Sequence, residues 1–343
     1  TLLLILSPRI FADSFYNMKD LIFMSLFIIT MNTGSKYLTN PKIKTIFWFS
    51  ISSSLLIAVK SIGIFFPIII ISLTILQYFH KSISFKSLLS NNFLLIALLC
   101  LFVILFWPRL WQSPYSNFFS SLIYMKNHGW SGENLYLGEY IRGRIVPWHY
   151  IPIWISVSTP VLYIILFLTG IFFILRRFLN RLDRLEDTQK NYNDLWRGNN
   201  ELLDLFFLGL FFIPLVAIIK FNSTLYDGWR HVFFLYPPLL MISICGFYYL
   251  NIILKKLKFR NYFVIFVSLF IITTSFKMFN MHPYQNVYFN FLAGKNIETN
   301  FELDYWGLCN KQALEYILKN DNKNVIRIGS AGPISIENSK QIL

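Results

Sequence analysis

The chain has 343 residues, of which 55% are hydrophobic and only 14% charged, and it carries a net charge of +14. Soluble globular domains carry nearer ~25% charged residues, so the composition excludes an ordinary soluble enzyme. Three cysteines, Cys100, Cys245 and Cys309, are too few and too scattered for a disulfide framework or a cysteine-based metal site.

The apolar residues gather in blocks separated by short polar segments. A helix of 18 residues is about 27 Å long, close to the thickness of the bilayer's hydrocarbon core. Lipid offers no partners to backbone amides, and continuous rather than alternating apolar runs select helices over a barrel. The sequence opens with Thr1 inside an apolar run, Leu2 to Leu6, and reads as a fragment starting at the end of a spanning helix; residues 341–343 also read as cut off. Eight complete spans are expected, at 21–38, 43–59, 62–79, 91–107, 151–175, 203–220, 231–250 and 261–279. The fold class is therefore an all-α polytopic membrane protein. Residues 1–280 form its bundle, and residues 281–343 begin a small extracytoplasmic α/β tail. In that tail, Asp304 to Asn320 reads as a short helix, Val325 to Ile328 as a strand and Gly329 to Pro333 as a turn.

Lysine and arginine set the orientation. Alternate loops hold fifteen of them: Lys36, Lys42 and Lys44; Lys81 and Lys86; Arg176, Arg177, Arg181, Arg184, Lys190 and Arg197; and Lys255, Lys256, Lys258 and Arg260. The opposite loops up to residue 280 hold ten. The first set faces the cytoplasm, which puts 8–20, 108–150, 221–230 and the tail outside. The basic excess is thus a topology signal and argues against a nucleic-acid partner. The stretch Arg176 to Glu201 reads as a solvated helix. Four of the five histidines, His128, His149, His231 and His282, fall in or beside the outer segments, with Trp111, Trp130, Trp148, Trp229 and Trp306. Polar chemistry is concentrated outside.

Five outer segments stand out. Residues 7–20 read SPRIFADSFYNMKD; Asp20 precedes an apolar run, as a helix N-cap or as an acidic group at the membrane surface, and Asp13 is a second candidate. Lys60, in AVKSIGIFFP, either snorkels to interfacial water or faces a phosphate. Arg142 and Arg144, in GEYIRGRIVPWHYIPIW, would share a face only if the segment is extended. FNSTLYDGWRH, residues 221–231, gathers Asp227, Arg230 and His231; Arg230 either pairs with Asp227 or grips a phosphate in bidentate fashion. MHPYQNVYFN at 281–290, with Tyr284, and DYWG at 304–307, with Asp304, suit stacking on a sugar or packing on the membrane surface.

Taken in order, these motifs resemble bacterial glycosyltransferases of the GT-C fold. The chain looks closest to relatives of the dolichyl-phosphate-mannose protein mannosyltransferases and of the aminoarabinose transferases. The resemblance implies a helical bundle in the bacterial inner membrane that moves a sugar from a polyprenyl-phosphate donor to a glycan, lipid or protein acceptor on the periplasmic face. It implies that the principal acid residue lies upstream of Thr1. Asp20 matches a further acidic residue, either assisting catalysis or holding a divalent cation (Mg or Mn). Lys60, Arg230 and His231 match donor-phosphate positions. Asp13, Arg142, Arg144, Asp227, Tyr284 and Asp304 are substrate-contact candidates. The wording YDGWRH departs from the better-known members. A lipid-linked sugar flippase, or a polysaccharide polymerase or ligase, is the alternative. A flippase would be expected to break its helices at the midplane, whereas Pro67, Pro160, Pro214, Pro237 and Pro238 stand at the ends of the expected apolar blocks.

Overall fold

The computed structural model describes residues 1–126, 129–183, 195–321, 323 and 325–329. The N-terminal turn α1 (Leu2–Ile5) and the short α2 (Pro8–Asp13) lead into α3 (Met18–Thr39). Next come α4 (Ile43–Val59), a 3-10 turn (Ser61–Ile64), α5 (Phe65–Phe79) and α6 (Phe85–Phe106). The segment after α6 holds α7 (Pro114–Lys126) and an antiparallel hairpin, β1 (Glu133–Tyr136) with β2 (Glu139–Arg142). The second half comprises α8 (Tyr150–Ser158), α9 (Val161–Asp183), α10 (Gly198–Lys220), α11 (Tyr236–Lys256) and α12 (Arg260–Asn280). The tail carries α13 (Ile297–Asn300) and α14 (Asn310–Asn320).

Among the described residues, seven helical segments are long and apolar enough to cross a membrane, and α4 is a shorter apolar helix of 17 residues. The chain is therefore a multi-pass α-helical membrane protein. The expected spans differ from the observed helices in instructive ways. The run 151–175 is two helices, because Pro160 supplies no amide to continue the first and holds Thr159 extended (φ −107°, ψ 145°). Asn290 from the tail repairs the break: its side-chain amide donates to the carbonyls of Ser156 (2.6 Å) and Thr159 (2.7 Å), and its backbone amide to Val157 (2.8 Å). The span expected at 231 opens as a 3-10 segment, Arg230–Leu235, before α11 proper. Arg176 to Asp183 continues α9, and α10 begins at Gly198.

The tail differs as well. Residues 325–328 form no strand, since no neighbouring strand among the described residues completes their hydrogen bonds. The helix expected from Asp304 begins at Asn310. Most of the expected turn, from residue 330 on, lies outside the described residues, as do His128, Arg184 and Lys190. Residues 285–301 are not a separate layer: Gln285, Asn286, Tyr288, Phe289, Asn290 and Phe301 are buried against the bundle.

The core is aromatic and continuous across both halves, with Phe66 meeting both Phe27 and Phe206 edge-on. α9 and α11 pack backbone to backbone. A Cβ at Gly170 would lie 2.1 Å from the Ile242 carbonyl oxygen, and one at Gly246 would lie 2.0 Å from that of Leu166. Ser243 seals the seam by donating to the Tyr163 carbonyl (3.1 Å). This contact fixes the N-terminal half of α11 and with it the segment carrying Arg230.

Candidate functional site

The ends of α2, α3, α4 and α11 meet at the end of the bundle opposite the lysine-rich loops. Asp20 is not the N-cap of α3. Asn17 is, its side-chain oxygen accepting from the Asp20 amide (3.2 Å). Freed from capping, the Asp20 carboxylate turns inward, 2% exposed. One oxygen pairs with the Lys60 ammonium and the other with Arg230 Nη1 (3.0 Å). Lys60 is presented at this height because α4 ends there in an extended residue before the 3-10 turn. Arg230 Nε also meets the Asp227 carboxylate (2.8 Å). Arg230 therefore pairs with Asp227, as the first of its two readings has it, and through Asp20 it also belongs to a larger buried cluster.

The turn before α11 is built for this geometry. Asp227 and Gly228 take successive left-handed conformations (φ 55° and 63°), which is costly for a non-glycine residue. Asn134 of β1 supports the turn, accepting from the Asp227 amide (3.3 Å) and donating to the Leu225 carbonyl (3.0 Å). Three rings surround the Arg230 guanidinium, with centroids at 4.7 Å (Tyr226), 5.2 Å (Tyr305) and 5.4 Å (Trp306). Tyr226 also meets the His231 ring edge-on at 4.5 Å, and the His231 Nε2 is buried without a hydrogen-bond partner.

Burial tunes the acids around the cluster. It pushes the Asp227 carboxyl up to about 8, against the pull of the Arg230 guanidinium. It pushes Asp13 up to about 6, opposed by the hydrogen bond from Asn17 (3.0 Å) and by Arg9. Burial lowers the Lys60 ammonium, and Asp20 opposes that shift. At the centre of the cluster two cations, Lys60 and Arg230, share the one carboxylate of Asp20. The arrangement suits a buried anion, which would share Lys60 and Arg230 with Asp20.

The remaining expected contacts divide. Asp13 and Asp227 line a cavity beside Arg230, together with Arg9, Asn286, Tyr305 and Trp306. Asp304 is spent on the tail, accepting from Asn286 (3.0 Å) and from the Cys309 amide (2.9 Å). Tyr284 does not line the cavity. Arg142 ends β2 and Arg144 lies in the turn after it, both exposed; no extended face joins them, and neither reaches the cluster. Arg9, in the same segment as Asp13, is not among the expected site residues. It is 6% exposed, with its guanidinium between the rings of Trp154 (5.1 Å) and Phe289 (5.3 Å). Asn286 was likewise not singled out.

The donor set does not fit a metal ion. Both Asp20 oxygens are engaged by cations, and no group of three or more His, Cys, Asp or Glu among the described residues is placed to hold one. Comparisons with protein-family models, with curated proteins and with solved structures give no match to this chain.

Proposed function

We propose that this protein is a bacterial inner-membrane glycosyltransferase that moves a sugar from a polyprenyl-phosphate donor to an acceptor on the periplasmic face. The observation that carries the reading is the convergence of Lys60, at the end of α4, and Arg230, in the segment before α11, on the buried Asp20 of α3. The donor's isoprenoid tail stays in the bilayer, so its phosphate rests at the height where these spans end. The leaving group departs as a phosphate, and preorganised cations in a partly desolvated site stabilise that developing charge best.

In this reading Lys60 and Arg230 hold the donor phosphate, and the buried Nε2 of His231 adds a further polar contact. Asp20 keeps the two cations converged while the site is empty and orients them when the anion enters. Tyr305 and Trp306 roof the guanidinium. The excess of lysine and arginine in the opposite loops supports the periplasmic placement, and displacement with inversion at the anomeric carbon follows the resemblance. The full-length protein in proteoliposomes, given radiolabelled polyprenyl-phosphate sugars, is expected to transfer label to an acceptor. Arg230→Ala is expected to abolish that transfer with expression unchanged. Normal turnover by this variant would remove the phosphate role.

A further inference from the structure

The small cavity beside Arg230 contains polar atoms that the ion-pair cluster leaves unused. Its volume is about 10 Å³, room for a single water-sized group. Arg9 brings two buried donors, Nε and Nη2, without hydrogen-bond partners. The Asn286 side-chain oxygen is a buried acceptor without a partner. Asp13 adds a carboxyl, 4% exposed, whose Oδ1 accepts a hydrogen bond from Asn17 (3.0 Å). Unpaired buried donors and acceptors are costly, so their presence around one small space needs an occupant. A simple anion would satisfy Arg9 but repel Asp13 and the Asn286 oxygen. A simple cation would do the reverse. A hydroxyl group satisfies both, because it accepts and donates at the same atom.

We propose that this cavity is the subsite of the attacking hydroxyl, with Asp13 as the base that takes its proton. The inference rests on the donor reading above, since Arg230 lines the cavity and also forms the phosphate cluster. As the hydroxyl oxygen bonds to the anomeric carbon, the bond from that carbon to the phosphate oxygen breaks. The electron pair leaves on the phosphate, and the hydroxyl proton passes to an Asp13 oxygen. Asp20 is poorly suited to this work, because both of its oxygens are held by cations. The charged and titratable groups facing Asp13 are Arg9 and Tyr16 from its own segment, Asp20 from α3, and Asp227 and Arg230 from the turn before α11. The hydroxyl belongs to an acceptor molecule or to water, and the labelled product distinguishes them: a glycoside in the first case, free sugar in the second.

The test uses the full-length protein in proteoliposomes with a polyprenyl phosphate bearing a labelled sugar. Asp13→Asn is expected to lower kcat by about 10²–10⁴-fold with little change in donor KM. The acidic limb of the wild-type pH profile, centred near the Asp13 value of about 6, is expected to vanish in this variant. Azide attacks without surrendering a proton, so it is expected to restore turnover to Asp13→Ala as a glycosyl azide and not to Asp20→Ala. Asn286→Leu, which leaves the base in place, is expected to raise the KM of the acceptor and not that of the donor. An Asp13→Asn enzyme of near-wild-type rate would overturn the inference. So would a slow one that keeps the acidic limb and ignores azide. If the Asp13 variants fail to fold, an unchanged acceptor KM in Asn286→Leu overturns it. Failure of the wild type to use any polyprenyl-phosphate sugar would instead reject the donor reading itself.

Discussion

Replacing Asp20 by Asn removes one negative charge from the centre of the cluster and changes little in shape. The carboxylate is 2% exposed, and its two partners, Lys60 and Arg230, have side chains 14% and 11% exposed. Breaking a buried pair by deleting one member costs about 3–5 kcal/mol, because the other member stays buried and unpaired. Here two cations lose their common partner. Asp227 pairs with Arg230 alone and leaves Lys60 uncompensated. Asp20→Asn is therefore expected to destabilise the protein by about 3–5 kcal/mol at pH 7. The double variant Asp20→Asn/Lys60→Met removes the stranded ammonium and is expected to recover at least half of that loss. Reversible SDS titration in mixed micelles, run as a double-mutant cycle, measures both quantities. A single-variant loss below about 1 kcal/mol, typical of exposed pairs, would refute the argument. So would a double variant no more stable than the sum of its singles.

The remaining predictions concern pH, packing and metal. Folded Asp227 holds its proton up to about 8, against an ordinary value of 3.8, so between these values the folded state carries the extra proton. Its contribution to stability is thus expected to fall as pH rises, by up to about 1.4 kcal/mol per unit; between pH 7 and 8, clear of the Asp13 value of about 6, Asp227 contributes a falling slope. Titration of the Asp227→Asn variant over that window should show the slope lost, and a slope unchanged would assign it elsewhere. Gly246→Val drives a side chain into the Leu166 carbonyl across the α9–α11 seam and is expected to cost at least about 1–3 kcal/mol, with a lower unfolding midpoint in the same SDS assay. Treatment with EDTA is expected to leave sugar transfer within about twofold of the untreated rate, given that lysine and arginine supply the charge stabilisation; loss restored by Mg or Mn would contradict this.

Much of the bundle was legible in the sequence because lipid imposes one rule on every span, an apolar run of fixed length. Asp20, Lys60 and Arg230 were legible for the same reason: each is a charge at the edge of such a run, where it is expensive unless it has a task. What periodicity does not report is pairing. Asn290 caps carbonyls more than 130 residues away, at the Pro160 break, and its role follows only once the break is seen. Arg9 passed for a loop arginine, because its burial depends on Trp154 and Phe289, which arrive from distant segments. The hairpin at 133–142 turns on Leu137 and Gly138 (φ 52° and 84°). That turn lacks the Asn-Gly signature that would have marked it. The strand expected at Val325 to Ile328 failed for the converse reason: a short apolar run has strand propensity, but a strand exists only with a neighbour.

The central claim is that Lys60 and Arg230 together receive the phosphate of an isoprenoid donor. Its most direct test is binding of citronellyl phosphate to the full-length protein in nanodiscs, followed by ³¹P NMR. Saturable binding is expected, weakened at least about tenfold in Lys60→Met and again in Arg230→Lys, a loss of about 1.4 kcal/mol or more for each. Equal affinity in the wild type and both variants would contradict the account.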